Sequence, residues 1–136
     1  PPPPPTPTVD KPPTEDEHGD AGVAELTRRL QAEEAIAPAI WALEVANGLR
    51  TAVRRRRITA SELPRIRSLV ERLPVDLVEV DTRSATGEVL DLALAHDLTT
   101  YDAAYLDLAM RRGIPLATAD ERLRGACRAA GVTLVG

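Results

Sequence analysis

Leu98-Thr99-Thr100-Tyr101-Asp102-Ala103-Ala104-Tyr105-Leu106-Asp107-Leu108-Ala109-Met110-Arg111-Arg112-Gly113-Ile114-Pro115-Leu116-Ala117-Thr118-Ala119-Asp120 reads as a cap, a helix, a stop, a short buried strand and an acid at the strand's end. Thr99 or Thr100 can accept from the free N–H groups of a first turn, and Gly113 suits the left-handed position just past a helix end. Ala103, Leu106 and Met110 recur at spacings of three and four, with Ala104 and Leu108 widening the stripe. Asp102 falls in the first turn, where the helix dipole favours its charge. Asp120 follows the apolar run from Ile114 to Thr118. Either acid alone reads as a plain helix cap. In an open parallel α/β sheet, however, helix starts and strand ends lie on one edge, where ligands bind.

Outward from this stretch, strand and helix alternate. Ala35-Ile36-Ala37 is a short strand candidate closed by Pro38, and a helix is predicted from about Ile40 to Arg55, its apolar face made by Ile40, Leu43, Ala46, Leu49 and Val53. Glu44 lies beside that face about one turn in, with Asn47 three residues on. Ser61 caps the next predicted helix and puts Pro64 in its first turn; Thr59 with Glu62 offers a capping box as a less attractive register. Ile66, Leu69, Val70 and Leu73 form that helix's apolar side. The run from Val75 to Val80 predicts a strand with one exposed side, near the sheet edge. Thr82 or Ser84 opens a helix through Val89, Leu90, Ala93 and Leu94 to His96, with Gly87 inside it for no evident reason. Asp120 can cap a last helix ended by Gly131, before a strand over Val132 to Val135. The expected fold is α/β, three-layered, a parallel sheet with helices on both faces.

Of the 12 prolines, eight fall in the first 13 residues, which predicts polyproline II or disorder there. Asp20, Val23, Leu26 and Leu30 suggest a capped amphipathic helix after it. The expected division is a Pro-rich segment at 1–14 and one domain at 15–136. The 136 residues suffice for one core, and no run approaches the roughly 20 apolar residues of a membrane span. The expectation is a soluble, cytoplasmic chain. Cys127 is the only cysteine and reads as core filler, with no thiolate metal site to build. A net charge of −4 argues against a general nucleic-acid coating protein, and with Trp41, Tyr101 and Tyr105 as the only aromatics a base-stacking sheet is hard to build. Arg54-Arg55-Arg56-Arg57 is either a solvated helix end or a phosphate contact; Arg111-Arg112 invites the same two readings.

Glu44, Asp102 and Asp120 are thus all expected on one edge. Clustered carboxylates repel, and a bound cation resolves the repulsion. Oxygen donors, with His18 and His96 far apart in sequence and not expected beside these acids, suit Mg2+ or Mn2+ better than Zn2+.

The segments from Trp41 to Leu49, Leu98 to Ala109 and Pro115 to Leu123 resemble, in order and spacing, the motifs of PIN-domain ribonucleases, specifically VapC-type toxins. The resemblance implies a metal-dependent endoribonuclease that leaves a 3′-hydroxyl and a 5′-phosphate. It also implies neutralisation by a VapB-type antitoxin and a homodimer. Glu44, Asp102 and Asp120 match the family's acidic positions, with Asp102 a metal ligand and Thr118 a helper; Asn47 is a supporting residue. The family opens on an apolar strand that carries its first metal-binding Asp. The only corresponding dipeptide is Val9-Asp10, followed by Lys11-Pro12-Pro13 rather than apolar residues, so Asp10 carries over least well. Two explanations offer themselves: the strand is absent or replaced, or the written N-terminus misrepresents the molecule. The intact later elements favour the second. A non-catalytic PIN-like protein-binding module is the alternative reading. A phosphoacceptor receiver domain would need a late lysine, and Lys11 is the only lysine.

Overall fold

Thr8, Val9 and Asp10 form the first strand, β1 (Thr8–Asp10), and it is the central one. The computed structural model describes residues 7–12 and 34–135, so the helix expected at 20–30 lies outside the described residues. The other strands are β2 (Ala35–Pro38), β3 (Val75–Val78), β4 (Leu116–Ala117) and β5 (Leu134–Val135), in the order β3-β2-β1-β4-β5. Every pairing is parallel.

The expectation of polyproline II or disorder over residues 1–13 fails at β1. Prolines flank this strand instead of interrupting it. The N–H groups of Val9 and Lys11 donate to Pro115 O at 2.9 Å and Ala117 O at 3.0 Å. Val9 lies opposite Ile36 on one side and Leu116 on the other, and it is fully buried. The first strand is therefore present, and the sheet draws on residues from both sides of the expected division at 14/15.

The helices are α1 (Ile40–Arg54), α2 (Leu63–Glu71), α3, α4 (Thr100–Arg112) and α5 (Glu121–Ala130). α3 runs as Thr82–Ser84, a wider π turn at Ala85–Val89 that contains Gly87, and Leu90–His96. Its cap is Asp81, which accepts from Ser84 N–H; that bond holds the Asp81 carboxyl below its ordinary range. Pro64 falls in the first turn of α2 as expected, but Ser61 is not the cap. Thr59 and Glu62 instead exchange backbone-to-side-chain bonds just before the helix, at 3.1 and 3.3 Å. β3 lies at the sheet edge, as its alternation predicts.

Two helical faces differ from expectation. In α1 the buried positions are Trp41, Val45, Thr51 and Ala52, while Leu43 is exposed. The large indole, not Leu43, sets which face turns inward. In α4 the whole run from Ala103 to Ala109 is buried, Asp107 included, whereas Met110 is 44% exposed. This helix packs on β1, β2 and β4 as well as on α3 and α5, so nearly its full circumference is covered and the single stripe is too narrow a description. Its alanines, Ala103, Ala104 and Ala109, allow the close approach. Cys127 is core, as expected, and burial pushes its thiol pKa up.

A candidate active site at the carboxyl edge of the sheet

The chain runs from β1 outward to β2 and β3 on one side, and later returns to β4 and β5 on the other. β1 is thus where the strand order reverses, the place where open α/β sheets bind ligands. Asp10 ends β1 at that point and is 1% exposed. Trp41 Nε1, from the first turn of α1, donates to Asp10 Oδ2 at 3.2 Å. The same turn carries Glu44 to this edge, because α1 starts directly after β2.

Asp102 comes from the first turn of α4. Thr99 is the cap here, its Oγ1 accepting from Asp102 N–H at 3.1 Å, so the Asp102 carboxylate is not used as the cap. One turn later Tyr105, fully buried, donates its hydroxyl to Glu44 Oε1 at 2.5 Å. Glu44 has a raised pKa. Burial is the main cause, outweighing the Tyr105 hydrogen bond and the Lys11 charge that favour ionisation; the Asp102 charge adds to the rise. The Tyr105 hydroxyl is pushed far up, by burial first and then by Glu44, with Asp10 and Asp102 adding to it. Asp10, Glu44 and Asp102 thus share one electrostatic neighbourhood.

Into it reaches Lys11, whose side chain is 2% exposed. Its Nζ stands 3.6 Å from Asp102 Oδ1 and 4.0 Å from Glu44 Oε2. Asp120 lies on the same edge, beyond the end of β4, with its backbone N–H on Thr118 Oγ1 at 3.1 Å and Thr118 buried. Its Oδ1 accepts from Leu123 N–H at 2.9 Å, so Asp120 does cap α5.

The basic candidates stand elsewhere. Arg54 to Arg57 lie at the far end of α1, about 15 Å along the axis from Glu44, and all four are exposed. Arg111 is tied to buried Asp107 at 2.8 Å, at the end of α4 opposite Asp102. Arg112 is exposed at that same end. Asn47 is exposed one turn past Glu44. Two arginines that sequence reasoning passed over are nearer. Arg124 donates to Thr118 O at 3.0 Å, and Arg122 reaches Asp97 O at 3.2 Å from the first turn of α5 while staying largely exposed. Trp41, Tyr105 and Lys11 were also passed over as site residues. The signal for Tyr105 was its place three residues after Asp102, on the same helical face.

Carboxylate oxygens are the donors that hard divalent cations such as Mg2+ and Mn2+ take, so the chemistry of this set fits one. Among the described residues, no three His, Cys, Asp or Glu side chains are gathered closely enough to hold an ion as they stand. The cation lying between Glu44 and Asp102 is the Lys11 ammonium.

The structure is similar to the crystal structure of PAE2754 from Pyrobaculum aerophilum, with a TM-score of 0.68 and 20% identity, covering 96% of this chain and 90% of that one. At that identity the likeness is one of fold. No curated protein matches the sequence. No helix among the described residues is long and apolar enough to cross a membrane. The family model for the PIN domain matches residues 15–129, starting just after β1. With that match over most of its length, the chain belongs to the PIN-domain family, whose members are in general metal-dependent nucleases.

Proposed function

We propose that this protein is a metal-dependent endoribonuclease of the VapC type, which cuts RNA phosphodiesters and is neutralised by a VapB-type antitoxin. The convergence of Asp10, Glu44 and Asp102 at the strand-order reversal carries this reading. Asp10, Glu44 and Asp102 would hold Mg2+ or Mn2+, with Asp120 and Thr118 beside them. Bound there, such an ion supplies Lewis acidity, neutralising charge on a phosphate and lowering the pKa of water.

The chain's own residues supply the rest. With Glu44 Oε1 kept on the Tyr105 hydroxyl, Glu44 or Asp120 would position the attacking water or take its proton. Water adds to phosphorus, the P–O3′ bond breaks, and the 3′ oxygen takes up a proton. Trp41 keeps the Asp10 carboxylate oriented. Arg122, exposed at the same edge, can meet an RNA phosphate beside the acids, while Arg54 to Arg57, Arg111 and Arg112 could meet phosphates only further along the strand. A groove of about 350 Å³ lined by Ile40, Leu43, Val80 and Tyr101 opens beside α4 and supports the partner half of the proposal. A homodimer and a cytoplasmic location complete the reading as expectations from the family resemblance.

The test is RNA cleavage with Mg2+, with Mn2+ and with EDTA, beside Asp102→Asn. Cleavage should need the metal and should fall at least a hundredfold in the variant, whose fold is checked by circular dichroism. A fully active, metal-dependent Asp102→Asn protein refutes the assignment. The Lys11 ammonium among the acids favours a second reading, a non-catalytic protein-binding module; folded protein that binds no Mn2+ even without Lys11 would support that one.

A further inference from the structure

Lys11 is the chain's only lysine, and its ammonium is buried among the carboxylates at the end of the central strand. Its backbone is fixed there by the bond from Lys11 N–H to Ala117 O at 3.0 Å. The side chain is therefore delivered to the acids by the sheet itself. An ammonium lacks the charge to replace a divalent ion fully, yet it offsets the repulsion of the acids in the same way. A divalent ion held by Glu44 and Asp102 would compete with the Lys11 ammonium for the same carboxylates and be repelled by it.

We infer that Lys11 is a tethered counter-ion that occupies the cation position between Glu44 and Asp102, and that a divalent metal binds only by driving the ammonium out. The inference rests on the metal-dependent reading above. Metal affinity is then set by a competition inside the molecule, and the metal-loaded protein exposes an amine that the metal-free protein buries. Lys11 is a positioning residue in this scheme and takes no part in the chemistry.

Two measurements test it, neither of which uses nuclease activity. Mn2+ binding, followed by electron paramagnetic resonance of the free ion, should be at least tenfold tighter in Lys11→Met than in the natural sequence. Lys11→Arg, which keeps a cation, should show no such gain. In the unsubstituted protein, an amine-reactive ester should modify Lys11 several times faster at saturating Mn2+ than in EDTA, read by peptide mass mapping at one pH. This second measurement needs no variant and decides the matter if Lys11→Met does not fold. Equal Mn2+ affinity in folded Lys11→Met and the natural sequence overturns the inference and leaves the nuclease reading standing. So does a labelling rate that Mn2+ does not change although it binds. Folded Lys11→Met that binds no Mn2+ overturns both.

Discussion

Replacing Tyr105 by Phe removes one hydroxyl and almost no volume, which isolates the bond from Tyr105 to Glu44 Oε1. Tyr105 is completely withdrawn from water and Glu44 is half-buried, its side chain 23% exposed. A hydrogen bond to a charged group contributes about 1.5–3 kcal/mol, and the deleted partner leaves a buried carboxylate less well satisfied. For a domain of this size that corresponds to a fall of about 5–10 °C in Tm. The loss depends on pH, and its sign follows from Glu44. Burial raises the folded-state pKa of Glu44, so ionising it costs stability as pH rises through that value. The Tyr105 bond opposes this rise, so Tyr105→Phe raises the pKa further. The penalty is therefore full above the folded-state pKa of both proteins, where Glu44 is ionised, and shrinks as pH falls through it. Melts followed by circular dichroism at pH 8 and pH 4.5 read both parts. In a Glu44→Gln background, which carries no carboxylate charge, most of the pH dependence should vanish. A Tyr105→Phe protein that melts within 1 °C of the parent at pH 8, or loses equally at both pH values, refutes the reasoning.

Gly87 and Gly125 lie inside helices where an added Cβ meets nothing within 4 Å. Gly125→Ala should stabilise the protein by about 0.5–1 kcal/mol in urea unfolding, and Gly87→Ala by a similar amount; a loss in either would show that the backbone there needs glycine. Leu123, fully buried in the first turn of α5, should cost about 2–5 kcal/mol when cut to Ala. A cost below about 1 kcal/mol would show that this end of α5 is not packed as described.

Where the cause was local, the sequence was readable. The Thr99 cap, the left-handed Gly113 and the Asp120 cap depend on neighbours within four residues, and all three stand as read. The edge position of β3 was also visible in its alternation. What was not readable depended on distant partners. Thr8 to Asp10 looks extended among prolines from any local standpoint, and only the hydrogen bonds to Pro115 and Ala117 make it a strand. The inward face of α1 could be drawn through Leu43 or through Trp41 on spacing alone; the Asp10 carboxylate waiting for the indole N–H goes with the second. Lys11 enters the sequence reading as a departure from the family pattern and as the only lysine, not as a site residue. That a charged side chain beside prolines would be buried requires knowing the acids it meets.

The central strand is also the first of the five described strands to leave the ribosome. β1 pairs with β2 on one side, but its other edge is completed by Leu116 and Ala117, about a hundred residues later. Until β4 is synthesised, the Val9 and Lys11 amides have no sheet partner on that side, and the buried face of α4 has no complete floor to pack on. Closing a parallel pair across so much chain is an entropic step taken late, which makes folding slow and dependent on the residues made last. A nascent chain halted before Leu116 would hold Asp10, Lys11, Glu44 and Asp102 without the strand that fixes where they meet.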